Sequence, residues 1–214
     1  MGRLTKPEVE ERFSQNIGRV RSLAATYGAL VGAGGGRAKV EQADILRAAI
    51  VLLHAALEDL LRSVEELRLP TASKDAFKDL KFIPVTGTGK DGAVTAKDTK
   101  EKFSLVELAE YRGQAVDEVL GKSIDLHLER SNYNNIGEVK AALDRTGVDY
   151  GFLTRADAAS LEAMMKRRHL IAHRADRNPM SGRGHHKAQS VGTRLVEDWT
   201  AVVDSFGKSI LAKI

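Results

Sequence analysis

The chain has 214 residues, of which 43% are hydrophobic and 29% charged, a balance that suits one globular domain over residues 1–214 and excludes wholesale disorder. It contains no cysteine, which excludes disulfides, thiolate metal sites and cysteine nucleophiles. No stretch reaches the roughly 18 apolar residues needed to cross a bilayer, and the charged start lacks the apolar core of a signal peptide, so we expect a cytoplasmic protein with no membrane association.

Positive charge is concentrated in one segment. The whole chain has a net charge of +4, but residues 155–194 hold nine Lys or Arg against three Asp or Glu, a net charge of +6. The remainder of the chain therefore carries a net charge of −2. This basic segment indicates an anionic partner such as a phosphate backbone, although a solvated basic face has the same composition.

Two long helices are predicted in the first third of the chain. Apolar residues recur every three or four positions over 7–31, until the glycine-rich run 32–37 ends the pattern. A second stripe alternates spacings of four and three before Pro70, which predicts a helix packed lengthwise against another, in the same domain or across a dimer. Its members are Leu46, Ile50, Leu53, Leu57, Leu60, Val64 and Leu67.

The stretch 68–103 differs in character, because Gly, Lys, Thr and Asp dominate it. Only 81–85 and 92–94 look strand-like, so the stretch is interpreted as an irregular insertion, either with a small hairpin or as a flexible excursion.

Helical periodicity then resumes to the C-terminus. Ser104, with Glu107 three residues on, predicts the start of a helix that runs to Arg130. A short helix over 136–145 is stopped by Gly147. Two further helices are predicted, one from Arg155 or Asp157 that contains 166–178 and is stopped by Asn178-Pro179, and one over 191–210, with a basic loop at 178–186 between them. The expected fold is an all-α bundle of about five to six helices.

The segment 166–178, KRRHLIAHRADRN, carries the residues with chemical potential. His169 and His173 are four residues apart and share one helix face. That spacing is typical of metal ligands, and Asp176 or the pair 185–186 offers further donors, but the surrounding arginines would repel a dication. We therefore predict no metal and no other cofactor.

A second interpretation pairs histidine with arginine. Imidazole transfers protons near neutral pH, and a guanidinium offers forked donors to a phosphate. RNA supplies its own nucleophile, the 2′-hydroxyl, so Arg168, His169 and His173 meet most requirements of phosphodiester cleavage without a metal. The same residues are also typical of a helix end whose cations complement the dipole, and spacing alone does not separate the two interpretations.

Several separated motifs resemble those of one family. Arg168, His169 and His173 fit R-[NDH]-x3-H, a form of the R-x4-6-H signature of the HEPN superfamily. The longer text RRHLIAHRAD resembles specifically the RiboL-PSP branch. The similarity extends to VLLHAALEDLLRSV, 51–64, and to the middle of the chain over 111–124 and 130–139.

The resemblance implies an all-helical HEPN-type fold, a homodimer, and for many members a metal-independent endoribonuclease that acts in toxin-antitoxin or anti-phage systems. In those roles it implies RNA as substrate and a cognate antitoxin or defence partner. His173 would transfer the proton, Arg168 would hold the phosphate and His169 would assist. Arg167 also satisfies the variable spacing. Some HEPN domains are non-catalytic RNA-binding or protein-interaction modules, and this alternative stays open.

Supporting residues are predicted with less specificity. Glu58 matches an acid common in this branch and either holds the signature arginine or forms an exposed pair with Arg62. His127 has no partner motif and is interpreted as a surface residue. Four basic residues around the signature are candidates for gripping RNA by charge, and a solvated connector is the alternative. These are Arg174, Arg177, Arg183 and Lys187.

Overall fold

The computed structural model describes residues 4–32, 40–78, 80, 109, 111–177 and 188–214. Six α-helices occupy these ranges, and two short 3-10 turns, Leu69–Thr71 and Lys74–Phe77, follow the second helix. The helices are α1 Lys6–Gly32, α2 Val40–Arg68, α3 Val116–Arg130, α4 Ile136–Thr146, α5 Arg155–Arg174 and α6 Thr193–Leu211. The all-α prediction is confirmed. None of the helices in the described part of the chain is both long and apolar enough to span a membrane.

Helix α2 is the centre of the bundle. Its predicted stripe is buried from Leu46 to Val64, while Leu67 is only partly buried. The apolar face of α1, which includes Phe13 and Ile17, packs into the same core. The stripe therefore packs against other helices of the same domain, which was one of the two interpretations of the sequence. Because it is buried there, it offers no surface to a second copy of the chain.

Helix α6 approaches this pair of helices closely at Gly207. A Cβ atom there would lie 2.2 Å from Phe13 Cζ and 2.9 Å from Leu60 Cδ2, distances that real contacts do not reach. Glycine at this position thus permits the three helices to share one core.

The third helix is shorter than predicted. The proposed cap Ser104 lies outside the described residues, and residues 111–115 form a turn, so that α3 begins only at Val116. Gly113 has a φ of 85°, a left-handed conformation that ends a helical path. Of the predicted insertion, Arg68 still belongs to α2 and the two 3-10 turns follow it, while both strand-like segments, 81–85 and 92–94, lie outside the described residues.

Helices α4 and α5 begin at the caps that their sequences contain. The Asn135 side chain accepts a hydrogen bond from Glu138 N at 3.0 Å, and Thr154 accepts one from Asp157 N at 3.1 Å. Gly147 ends α4 in the left-handed conformation, as predicted. The chain thereby turns back so that α5 packs against α2.

Helix α5 changes its surroundings along its length. Its first half buries Leu161, Met164 and Met165 in the core. It ends at Arg174, four residues before Asn178, because Ala175 and Asp176 adopt left-handed conformations with φ of 48° and 55°. The predicted signature residues therefore lie on the last turns of a helix whose other end is anchored in the core.

Candidate functional site

The two histidines of α5 stand together on the protein surface. His169 and His173 are both exposed, and their ring centroids are 4.7 Å apart with the ring planes tilted by 46°. The four-residue spacing predicted this arrangement. Two imidazoles at this distance can contact one bound group together.

Arg168 points toward a buried acid of α2. Its side chain is 23% exposed, and its Nη2 atom lies 4.0 Å from Glu58 Oε2. Its Nη1 atom donates to Asn134 Oδ1 at 3.4 Å. Both contacts are long for a guanidinium, so Arg168 is oriented by Glu58 and Asn134 without being tightly bound to either.

Glu58 belongs to a small buried group, which we call the Glu58 cluster: His54, Glu58, Tyr133, Asn134 and Arg168. Glu58 is 8% exposed and accepts a hydrogen bond from Tyr133 N at 3.4 Å. His54 Nδ1 lies 3.6 Å from Glu58 Oε2. The acid therefore faces the interior beside the signature arginine.

His54 is the most deeply buried member of this cluster. It is 0% exposed, and its Nε2 atom lies 3.1 Å from the carbonyl oxygen of Tyr133. A carbonyl can only accept, so Nε2 carries the hydrogen. Burial lowers the pKa of His54, and the nearby Glu58 carboxylate opposes this only in part. The ring is thus held in its neutral form. The four-residue spacing of His54 and Glu58 on α2 was the signal in the sequence for this pair.

The alternative interpretation of Glu58, an exposed pair with Arg62, does not describe the structure. Arg62 Nη2 instead donates to the carbonyl oxygen of Ser131, and the Arg62 guanidinium lies 6.0 Å from the centre of the Tyr133 ring. Glu58 therefore contacts the other members of the Glu58 cluster and not Arg62.

Arg167 lies in different surroundings from its neighbour. It meets Asp176, which is 0% exposed, with Nε 2.7 Å from Oδ1 and with Nη2 donating to Oδ2 at 2.8 Å. Arg47 Nε donates to the same Oδ2 at 2.8 Å, and Asp44 and Gln189 bind the outer nitrogens of these guanidiniums. We call Asp44, Arg47, Arg167, Asp176 and Gln189 the Asp176 cluster.

This geometry bears on the metal-ligand interpretation. Both carboxylate oxygens of Asp176 face guanidinium groups, so Asp176 does not complete a shell for His169 and His173. Within the part of the chain that the structure describes, no three His, Asp or Glu side chains form a group able to hold a metal ion. His185 and His186 lie outside it.

The proposed RNA-gripping residues are described only in part. Arg174 and Arg177 are exposed at the end of α5, beside the exposed histidines. Arg183 and Lys187 lie outside the described residues. A single antiparallel bridge joins Arg177 to Ala188, which brings the two ends of the basic loop together.

The prediction that His127 is a surface residue without a partner is wrong. His127 is half-buried, and its Nε2 atom lies 3.9 Å from Oε1 of Glu65, which is fully buried. Arg145 Nε and the Tyr133 hydroxyl donate to the same carboxylate. Burial lowers the pKa of His127. One face of α3 turns inward here, which the sequence did not reveal because Glu65 is distant in the chain.

An open apolar groove of about 520 Å³ lies beside the Asp176 cluster, between α2 and the end of α5. Its floor and walls are small or aliphatic side chains, with Asp44 and Arg47 at its edge. The apolar members are Ala48, Val51, Leu52, Ile171 and Ala175.

In the described part of the chain, a bundle of six helices in which Arg168, His169 and His173 lie on the last turns of α5 has the features of a HEPN-type domain. Comparison with protein families agrees, because the sequence model of the RiboL-PSP-HEPN family matches residues 15–213. The chain belongs to the RiboL-PSP-HEPN branch of the HEPN superfamily, and this membership associates it with nuclease or RNA-related roles. Searches among curated proteins and among solved structures gave no match.

Proposed function

We propose that this protein is a metal-independent endoribonuclease of the HEPN type. The observation that carries the proposal is the composition of the α5 end, where Arg168, which has only long contacts among the described residues, is followed by two adjacent exposed imidazoles, His169 and His173. Proton transfer and phosphate binding are the two functions that cleavage through the RNA 2′-hydroxyl requires.

In this proposal Arg168 binds the scissile phosphate. Its two contacts, at 3.4 Å to Asn134 and 4.0 Å to Glu58, are long, so the guanidinium can exchange them for a phosphate at small cost. Glu58 and Asn134 orient the guanidinium while the substrate is absent. Negative charge grows on the phosphate oxygens in the transition state, and a fixed guanidinium then binds more tightly than in the ground state.

His173 carries the acid-base step. The reaction removes a proton from the 2′-hydroxyl, the 2′-oxygen attacks phosphorus, and the leaving 5′-oxygen takes up a proton. The products are a 2′,3′-cyclic phosphate and a 5′-hydroxyl. His169, 4.7 Å from His173 between ring centroids, orients the phosphate or the His173 ring. The exposed Arg174 and Arg177 would add charge along the RNA backbone, as would Arg183 and Lys187.

We further propose that the protein acts as a homodimer. The stripe on α2 is buried within the domain, so the support for this comes from the apolar groove between α2 and α5 and from the family resemblance. Because Val51 lies in the groove, Val51→Glu should convert a dimer into a monomer at micromolar concentration. Val116→Glu, which adds the same charge at an exposed position of α3, should leave the dimer intact. A monomeric wild-type mass would contradict the proposal.

The biological role that fits this activity is that of a toxin or anti-phage defence effector in the cytoplasm. Cleavage of cellular RNA harms the cell that makes the enzyme, so such an activity needs control by an antitoxin or a defence partner. Expression of the wild type from a tight promoter should therefore stop growth, and expression of His173→Ala should not.

The enzymatic proposal is tested on purified protein. Wild type should cleave single-stranded RNA equally well with and without excess chelator, and His173→Ala should cleave it slower by about 10²–10⁴-fold, the usual contribution of a general acid or base. Cleavage that vanishes in chelator, or that survives in His173→Ala, would refute the mechanism. Salt-sensitive RNA binding without products would instead identify a non-catalytic RNA-binding module.

A further inference from the structure

Asp176, the second residue after the end of α5, is a buried acid for which the proposed reaction has no use. Asp176 is 0% exposed and adopts a left-handed conformation. Its backbone N–H donates to Leu170 O at 3.0 Å, and its carbonyl accepts from Gln189 N at 2.8 Å. Asp176 thus joins the end of α5 to the segment that leads into α6, only three residues after His173.

The carboxylate of Asp176 holds arginines from two helices. Arg47 of α2 and Arg167 of α5 both donate to Oδ2 at 2.8 Å, and Arg167 Nε lies 2.7 Å from Oδ1. The second positive charge is balanced by Asp44, whose Oδ1 is 2.9 Å from Arg47 Nη1. Two acids therefore match two buried or half-buried guanidiniums, and removal of Asp176 would leave one positive charge in excess.

Each nitrogen of Arg167 already faces an oxygen of the protein. Besides its two contacts with Asp176, its Nη1 atom donates to Gln189 Oε1 at 3.0 Å. Its Nη2 atom also donates to the carbonyl oxygens of Gln189 and Ser190, at 3.2 Å and 3.1 Å. Among the described residues, Arg168, one position along the helix, has only the two long contacts given above. The two adjacent arginines therefore differ in availability, and Asp176 holds Arg167 through the two shortest of its contacts.

We propose that Asp176 is a positioning residue, which retains Arg167 inside the protein so that Arg168 alone meets the RNA phosphate. The inference rests on the proposed function. If the charge of Asp176 is removed, Arg167 becomes a second forked phosphate donor, rotated by about 100° around the helix from Arg168. A phosphate captured by Arg167 is held beside Gln189 and not at the position that Arg168 occupies beside Asn134 and Glu58, so the RNA binds in the wrong place and is not cut.

The first test separates binding from cleavage in Asp176→Asn, which keeps the shape of the side chain and removes its charge. Binding of a fluorescein-labelled single-stranded RNA oligonucleotide is measured by anisotropy in a His173→Ala background. Affinity should stay equal or rise, with a steeper salt dependence by about one phosphate contact. With His173 present, kcat at saturating RNA should fall about tenfold or more, because a misplaced phosphate loses its alignment. Loss of affinity together with kcat would overturn the proposal.

A matched pair of double variants sharpens the test. Asp176→Asn with Arg167→Met removes the guanidinium that competes with Arg168 for the phosphate, whereas Asp176→Asn with Arg47→Met leaves that guanidinium in place. Each double variant loses the same acid and one of its two arginines. The double variant with Arg167→Met should have a kcat at least about fivefold higher than Asp176→Asn and should lose the added affinity for RNA. The double variant with Arg47→Met should keep the low kcat and the added affinity of Asp176→Asn. Equal kcat and equal affinity in the two doubles would mean that Asp176 is merely structural.

The role of Asp176 can still be tested if Asp176→Asn does not fold or if the wild type does not cleave RNA. If thermal melting shows that Asp176→Asn does not fold, Asp176→Glu keeps the charge, and its RNA affinity and salt dependence should match the wild type. A steeper salt dependence in Asp176→Glu would overturn the proposal. If the wild type makes no cyclic phosphate, the proposed function fails by itself. The RNA affinities of the two double variants then test the role of Asp176 without a cleavage assay. The variant with Arg47→Met, which retains Arg167, should bind RNA more tightly than the variant with Arg167→Met.

Discussion

The Asp176 cluster and the Glu58 cluster each place a buried acid against one of two adjacent arginines of α5, yet their geometries differ. Around Asp176 the contacts to Arg47 and Arg167 are 2.7–2.8 Å long. Around Glu58 the contacts are 3.4 Å to Tyr133 N and 4.0 Å to Arg168. Short charge-assisted contacts fasten a fold, whereas long ones leave a cation available to a ligand. We therefore propose that the first cluster holds Arg167 in place and that the second leaves Arg168 available to a substrate.

The helix itself produces this division. Consecutive residues of an α-helix point about 100° apart, so Arg167 and Arg168 cannot face the same element. Arg167 reaches the segment beside Gln189, and Arg168 reaches α2 and the loop before α4. Sequence spacing allowed either arginine to serve as the phosphate ligand. The tertiary contacts favour Arg168.

The largest effect is expected from Asp176→Ala. Removing the acid leaves Arg47 and Arg167 as buried charges without their carboxylate, and the free energy of unfolding should fall by about 3–5 kcal/mol. Urea unfolding measures this loss. Asp44→Ala removes only the exposed partner of Arg47 and should cost less than about 1 kcal/mol. Equal losses in the two variants would remove the distinction between the clusters.

Arg168→Ala should affect the reaction and leave the fold nearly intact. Cleavage should fall by about 10²–10³-fold, the usual effect of losing one donor to transition-state charge, with little change in melting temperature because the lost contacts are long. Arg168→Lys should not restore the rate, since an ammonium lacks the fork. A large loss of stability with an unchanged cleavage rate would assign Arg168 to structure.

Glu58→Gln should have a smaller effect on cleavage. The amide keeps the shape but loses the charge that orients Arg168, so we expect the rate to fall by about tenfold, as for a group that acts through another residue. Glu66→Gln provides the control, because Glu66 is an exposed acid of the same helix and its neutralisation should change nothing. A rate in Glu58→Gln equal to that of Glu66→Gln would contradict the orienting role.

The smallest effect concerns pH. Burial lowers the pKa of His54 and of His127 below the ordinary value of 6.5. The unfolded chain therefore binds more protons than the folded one below that pH, so stability is full above about pH 6.5 and is lost as the pH falls. The melting temperature should drop by a few degrees, about 2–4 °C, between pH 7.5 and 5.5. His54→Gln should flatten this dependence, and a dependence unchanged in His54→Gln would contradict the assignment.

Periodicity predicted the parts of the fold that depend on local pattern. The apolar stripe of α2 and the stop at Gly147 follow from side-chain spacing and backbone preference. The break at Gly113 was missed, because an isolated glycine in a helical pattern is often tolerated. The length of α3 was therefore overestimated.

The site was predictable to the extent that it lies on one helix. His169 and His173 were placed on one face by their spacing, and the structure brings their rings together. The partners Asn134, Tyr133 and Gln189 come from other elements, and no local pattern marks them. His54 and His127 were missed as buried groups because burial depends on packing between distant segments.

A comparison of RNA with its 2′-deoxy analogue tests whether the 2′-hydroxyl is the attacking group. Purified protein is incubated in chelator with a single-stranded RNA oligonucleotide and with the same sequence carrying 2′-deoxyribose throughout, and the ends of the products are identified by mass. The account predicts that only the RNA is cut and that its fragments end in a 2′,3′-cyclic phosphate and a 5′-hydroxyl. Cleavage of the deoxy oligonucleotide, or fragments that carry 5′-phosphates, would contradict attack by the 2′-hydroxyl.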